Sequence, residues 1–321
     1  MIDKAFFRAE LARARERLDA GDHPGARAIL EDIRSDPAHR VLGEETALGL
    51  PRKLHAAFLR LAKREGDRLS RIGLQHLLVP PAGAIDDLFA VTAGERRALA
   101  EANRRGVPRV IHQVWIGSRP VPVTCGAWER YAAENGYRHR LWREADLAEL
   151  GAEKLPLFSG MLGRGDFPGA VDLARYLILR EEGGVYLDCD WYPAAPQVAF
   201  HDRLGMTGLT AFAEDIPRGT SAGSVFLANS FIAAPAGHPA MARLLAVIPE
   251  VAARLPGAPA WWVTGPLVFT LAARGGAVAL ADAGFVAGSM EPGASLAEVE
   301  AQVAAGGGAG MVLAWKPWAV V

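Results

Sequence analysis

Two cysteines, Cys125 and Cys189, are all that 321 residues contain. That scarcity excludes a disulfide-stapled scaffold and any metal cluster built from cysteines, and it points to a reducing compartment. Charge of one sign is lacking too: 35 Lys and Arg stand against 36 Asp and Glu, a net charge of -1. Such a balance gives no general attraction to nucleic acid or to an anionic membrane surface, so an anionic ligand must be held locally. Long apolar runs are also missing. The most apolar stretch, near 240 to 255, is interrupted by Arg243, Pro249, Glu250 and Arg254, well short of the ~20 clean residues of a membrane helix. The first residues, MIDKAFFRAELARARERLDAG, carry charge through their apolar positions, where a signal peptide has an unbroken core. The expectation is a chain with no transmembrane segment, located in the cytoplasm, at most peripheral to the inner membrane.

What is present is an ordinary globular composition, 50% hydrophobic and 22% charged, enough for one main domain with a smaller appendage. Residues 1–105 read as an α-helical region. Phe6, Leu11, Ala14 and Leu18 recur at helical spacing, Gly21 and Asp22 interrupt, and Ala26, Ile29, Leu30 and Ile33 resume. The helix, Gly-Asp turn, helix, Asp36-Pro37 order resembles one tetratricopeptide-type hairpin. A plain helical appendage is the alternative, and either could serve to recruit a protein partner. A second pair of helices, Leu54 to Arg64 and Asp67 to Leu78, ends at Pro80-Pro81.

The pattern changes over 106–321. PRVIHQVWIG reads as a buried strand, Trp128 to Asn135 as a helix, Tyr137 to Trp142 as a strand and Asp146 to Leu150 as a short helix. That alternation is α/β, and α/β sheets place ligands beyond the carboxyl ends of their strands. Trp115 and Asp188 occupy such positions.

The stretch DLARYLILREEGGVYLDCD, Asp172 to Asp190, has explicit local logic. Val171, Ala174, Leu177 and Ile178 form a buried helical stripe, with Asp172 and Arg175 together on another face. Gly183-Gly184 permits a left-handed turn into a strand from Val185 to Asp188. Period-two alternation sets Val185 and Leu187 on one face, Asp188 and Asp190 together on the other. Two close carboxylates repel, and keeping both ionised calls for a hard divalent cation. Mg²⁺ or Mn²⁺ takes oxygen ligands and is completed by phosphate oxygens, which points to a diphosphate-bearing substrate. Arg175 suits a phosphate or sugar hydroxyl, Asp172 a sugar hydroxyl.

The run D-x-x-R-Y-x-x-L-x-x-x-G-G-x-Y-x-D-x-D is similar to the signature of glycosyltransferase family 32, the DXD sugar-binding family, shared in part with large glucosylating toxins. PRVIHQVWIG at 108–117, NSFIAAPAGHP at 229–239 and TGP at 264–266 extend the resemblance in the family's order. It implies a GT-A fold, a Rossmann-like mixed sheet, behind the N-terminal helical region. It also implies a UDP- or GDP-sugar donor, a Mn²⁺ or Mg²⁺ ion, and transfer to a glycan, lipid-linked or protein acceptor with retention, as in polysaccharide biosynthesis. By position, Asp188 would contact the donor's ribose and sugar, Asp190 would bind the metal, and both would be catalytic. Asp172, Arg175 and Tyr176 would surround the sugar, Trp115 would stack on the base, and Asn229 and Gly265 would line the cleft. Family members often close the site with a C-terminal His and a Ser-Trp pair. Here the last His is His238 and the end reads MVLAWKPWAVV, so Trp315 or Trp318 takes the Trp role and the third metal ligand has no candidate.

Blander readings accompany these residues. Asp172 and Arg175 also suit a surface ion pair, Trp115 a core aromatic, His112 a hydrogen-bonded structural histidine, Asn229 a turn, and Cys189 packing. At the level of function, a strand followed by DxD also describes haloacid dehalogenase-type phosphatases. There Asp188 would attack phosphorus and Asp190 would act as the acid, although Tyr192-Pro193 departs from that pattern. A sugar-nucleotide or glycan binding module is the non-enzymatic alternative.

Overall fold

A computed structural model describes residues 4–46, 48–78, 84–213, 226–282, 284–291 and 293–318. The chain divides into two compact units, Met1–Ala84 with Asp215–Val225, and Ile85–Glu214 with Phe226–Val321.

The first unit is helical. Helix α1 (Lys4–Asp19) packs on α2 (His23–Ser35), and α3 (Arg52–Glu65) packs on α2 and on α4 (Arg68–Leu78). The Asp22 side chain caps α2 by accepting from the Gly25 amide, which answers one of the amides a helix start leaves unpaired. Ala26, Ile29, Leu30 and Ile33 are all buried as their spacing indicates. On α1 the first member of the stripe differs from the expected one: Phe7 is buried with Ala14 and Leu18, while Phe6 is 47% exposed. A helix turns 100° per residue, so Phe7 and not Phe6 shares the face of Ala14 and Leu18. The expected stop at Pro80-Pro81 lies outside the described residues.

The second unit begins ahead of residue 105. Its first helix, α5 (Ala93–Ala102), carries a Thr92–Glu95 capping box and packs on a later helix of the same unit. There follow β1 (Val110–Val114), α6 (Val123–Glu134), β2 (Arg138–Trp142), α7 (Glu144–Glu149), α8 (Pro156–Gly163) and α9 (Phe167–Glu181). Next come β3 (Gly184–Leu187), β4 (Trp191–Pro193), α10 (Phe200–Arg203), β5 (Thr210–Ala213) and β6 (Leu227–Ala234). The remainder is α11 (Pro239–Arg254), α12 (Ala260–Val263), α13 (Pro266–Ala273), β7 (Ala279–Leu280), β8 (Val286–Ser289), α14 (Leu296–Ala305) and β9 (Val312–Ala314).

Six strands form one mixed sheet in the order β2-β1-β3-β6-β5-β7. β1 runs parallel to both β2 and β3, β6 runs antiparallel to β3 and β5, and β7 is parallel to β5. Only β6 therefore opposes the rest, the mixed α/β arrangement expected of a GT-A-type domain. Ile111, Val185, Leu187, Phe231 and Ala233 project into one core with Trp128, Tyr131 and Phe200. A second sheet, β4-β9-β8, brings the last described strand against the residues that follow β3. No helix among the described residues is long and apolar enough to cross a membrane.

Candidate functional site

Parallel pairing of β1 with β3 puts the carboxyl ends of both strands on one edge of the sheet. The Gly183-Gly184 step makes that pairing possible. Gly183 has φ +63 and Gly184 φ +107, and a Cβ on Gly183 would lie 2.3 Å from the Ala236 amide nitrogen. On Gly184 it would lie 2.7 Å from the Val110 carbonyl oxygen. Neither position has room for a side chain.

Beyond Leu187 the chain leaves the strand. Asp188 and Asp190 sit on a turn, not on the alternating strand face that the spacing indicated, with the Trp191 amide donating to Asp188 O at 3.3 Å. Burial pushes the Asp188 carboxyl up to about 7; Arg175 opposes the shift and the charge of Asp190 adds to it.

Helix α9 starts at the Asp166 cap and is buried on nearly every face, against β1, β3 and β6 on one side and α8, α11 and α12 on others. The surface ion-pair reading of Asp172 and Arg175 is thereby overturned. Their side chains are 9% and 4% exposed, and Arg175 Nη2 lies 2.9 Å from Asp172 Oδ1 and 3.1 Å from Asp188 Oδ1. Asn229 Nδ2 donates to Asp172 Oδ1 at 2.7 Å, and Thr264 Oγ donates to Oδ2 at 2.7 Å. Arg175 Nη1 donates to the Asn229 carbonyl. Desolvation raises the Asp172 carboxyl, against the pull of Arg175, Thr264 and Asn229. Burial works against the Arg175 charge as well, but Asp188, Tyr186 and Asp172 outweigh it, and the guanidinium moves above its ordinary value. It also lies over the Tyr186 ring, 4.5 Å from the centroid.

Tyr176 is fully buried, with its hydroxyl donating to the Thr264 carbonyl at 2.7 Å and accepting from Asn229 Nδ2 at 3.3 Å. That places it as a brace of the cluster. Gly265, the expected cleft residue, caps α13 directly after Thr264, and a Cβ there would come within 3.0 Å of Trp261 Cα. Asn229 is on β6, not in a turn, and its side chain points into the cluster.

Asp190 differs from Asp188 in its partners. Lys316 Nζ lies 3.1 Å from Asp190 Oδ2, while Oδ1 is buried with no hydrogen-bond partner. The Trp315 amide donates to Asp190 O at 2.7 Å, continuing the β4–β9 pairing. Among the described residues, Asp172 and Asp188 pair with Arg175, and Asp190 pairs with Lys316. A buried carboxylate oxygen without a partner, beside a second carboxylate, suits a bound cation. No group of three His, Cys, Asp or Glu side chains able to hold a metal occurs among the described residues.

At the end of β1, Trp115 is half-buried; its Nε1 donates to the Arg119 carbonyl at 3.0 Å, and Trp318 meets it edge-on at 4.9 Å between centroids. Next to them Arg119, Pro120, Val121, Pro122, Val123, Pro317 and Trp318 line a cavity of about 460 Å³. Of the two candidate C-terminal tryptophans, Trp318 is the one beside Trp115. Trp315 is buried against Tyr192, with Nε1 lacking a partner.

His112 is structural. Nδ1 accepts from Trp142 Nε1 at 3.0 Å, which leaves Nε2 to donate to the Gly183 carbonyl at 2.8 Å. Cys189 is buried with its thiol against the Val114 carbonyl, and Cys125 is likewise buried and free.

Sequence reasoning passed over Tyr186, Thr264 and Lys316. Tyr186 Oη donates to Asp188 Oδ1 at 2.7 Å; the alternation that pairs Val185 with Leu187 already put Tyr186 on the aspartate side. Thr264 stood inside the quoted TGP. Lys316 had no local signal, since only tertiary pairing of β9 with β4 brings it to Asp190.

Residues 138–207 match the family described as "Glycosyltransferase sugar-binding region containing DXD motif". That span runs from β2 through α9, β3 and the Asp188–Asp190 turn. The DXD glycosyltransferase resemblance therefore holds over the part of the chain that carries the paired aspartates. No curated protein sequence matches the chain. Among solved structures it is similar to the PaToxG glycosyltransferase, at 16% identity over 63% of this chain and 79% of that one, with a TM-score of 0.43.

Proposed function

We propose that the cluster around Asp172, Arg175, Asp188 and Asp190 is the donor site of a glycosyltransferase of the family 32 type. It would move a sugar from a UDP- or GDP-sugar to a hydroxyl of a glycan or another acceptor, with retention of configuration. The observation that carries this reading is the turn bearing Asp190, whose buried Oδ1 lacks a partner while Asp188 of the same turn pairs with Arg175, a guanidinium buried against Asp172. The order of the motifs supports it: PRVIHQVWIG, NSFIAAPAGHP and TGP supply β1, Asn229 and Thr264, and all three meet at the aspartate run.

Asp190, with Asp188 beside it, would hold Mn²⁺ or Mg²⁺, which supplies positive charge for the departing diphosphate. The rest falls to side chains. Arg175 fixes the Asp188 carboxylate through Oδ1, and Tyr186 donates to the same oxygen, so the remaining oxygen of Asp188 is aimed by two partners. Asp172 and Asn229 hold Arg175 in one rotamer. With both Asp172 oxygens engaged inside the cluster, the contact with sugar hydroxyls is assigned to Asp188 first and to Asp172 and Arg175 through it. Trp115 would offer a stacking face to the base.

The test is incubation with Mn²⁺ and a panel of UDP- and GDP-sugars. Slow donor hydrolysis or transfer in the wild type, abolished in Asp190→Ala, is the expected result. Full metal-dependent turnover in that variant would sink the assignment. Hydrolysis of simple phosphate esters without nucleotide sugar would favour the phosphatase reading, and binding without turnover the binding module. NMR of the product's anomeric centre checks retention.

A further inference from the structure

Lys316 is a cation at the aspartate turn. It is 58% exposed and paired with Asp190 Oδ2 at 3.1 Å. Three features fix where it stands. Pairing of Trp191 with Ala314, and the Trp315 amide on Asp190 O, fasten the preceding residue to the aspartate turn. Pro317 follows, and a residue before proline is held extended. Trp318, two residues on, packs edge-on against Trp115 at the end of β1. Lys316 therefore stands in the chain between the aspartate pair and the tryptophan pair.

A nucleoside diphosphate sugar has the same order, with base, diphosphate and sugar in sequence. If the base lies by Trp115 and the sugar by Asp188, the diphosphate crosses the interval that Lys316 occupies. We propose that Lys316 is a diphosphate-binding residue, its ammonium donating to the phosphate oxygens of the donor and of the nucleoside diphosphate product. This inference rests on the donor-site reading above. An ammonium has three donors and is a compact charge, so it can stay on Asp190 Oδ2 and still reach a phosphate oxygen. The ion pair in the free protein then keeps the lysine in place before the ligand arrives. Lys316 would add fixed positive charge beside Asp190, where the diphosphate would lie.

The experiment compares the full-length wild type, Lys316→Ala, Lys316→Arg and Asp190→Ala by calorimetric titration with UDP, GDP, UMP and GMP, each with Mn²⁺. Removing a hydrogen bond to a charged group from a partly exposed site should weaken diphosphate binding roughly 10-fold or more. Lys316→Ala should do so for UDP or GDP, whichever the wild type binds, and change the corresponding monophosphate by less than about twofold. Lys316→Arg should recover most of the loss. Equal loss for diphosphate and monophosphate would show that Lys316 only shapes the turn, and unchanged diphosphate binding would show that it does not touch the ligand. Either overturns the proposal while leaving the donor site intact. A wild type that binds neither UDP nor GDP overturns both.

Discussion

Arg175 is the most constrained side chain in the site, and its surroundings explain why a buried charge is tolerated. A desolvated guanidinium costs several kcal/mol, roughly, unless its hydrogen-bond geometry is nearly complete. Here two carboxylates, a backbone carbonyl and an aromatic face meet it. Asp188 takes the remaining imbalance, which is why burial and Asp190 drive its carboxyl up. His112 illustrates the opposite case. Burial lowers its pKa to about 4, and the accepted bond from Trp142 requires Nδ1 to stay unprotonated. The unfolded chain takes up a proton below about 6.5 and the folded chain does not, so stability is present above that pH and falls as pH drops from 6.5 towards 4. The loss attributable to His112 should approach about 3 kcal/mol at the acid end. Urea midpoints at pH 7 and pH 4.5 check it: the wild type should lose more than His112→Gln. Some slope should survive in the variant, because burial also holds His238 at about 4.

At the scale of elements, the join between α9 and β3 decides whether the site exists. Gly183 reverses the chain in a left-handed conformation pressed against the Pro235–Ala236 backbone, and its carbonyl receives the His112 ring. Gly183→Ala should destabilise the protein by more than about 1 kcal/mol, since the strained φ and the backbone contact add. Thermal melts would show a lowered midpoint, and an unchanged one would mean that β3 and β6 separate at no cost. The glycine pair, the α9 period and the aspartates after an apolar run are local signals, so the helix–turn–strand unit was legible in the residues alone. The depth of α9 was not. Periodicity reports one apolar face, whereas α9 is covered by α8, α11 and α12 as well, elements that a window around Asp172 does not contain. The same reason hid Lys316 and made Asp190 seem a strand residue.

Each of the two compact units has its own apolar core. Phe7, Leu18, Ile29, Leu30, Leu54 and Leu61 belong to the first, and Ile111, Trp128, Val185, Phe200 and Phe231 to the second. A cavity made in one core should therefore weaken that unit first. Leu54 is fully buried, and Leu54→Ala should cost about 2–5 kcal/mol. Hydrogen exchange is expected to accelerate over residues 4–78 while β1, β3 and α9 keep their protection. Acceleration spread evenly over both units would contradict the division. The sequence indicated a helical start and an α/β remainder, but its change of pattern near 105 marks the first strand. The unit boundary comes earlier because α5 packs on α11 and belongs with the sheet.

The β4–β9 pairing also has a consequence for biosynthesis. Asp188 and Asp190 leave the ribosome close behind Arg175 and Tyr186, yet β9 and Lys316 follow much later. Contacts so distant in sequence are slow to form. A nascent chain stalled after α13 would thus display the aspartate turn with its lysine clasp missing, and the site matures only when β9 docks.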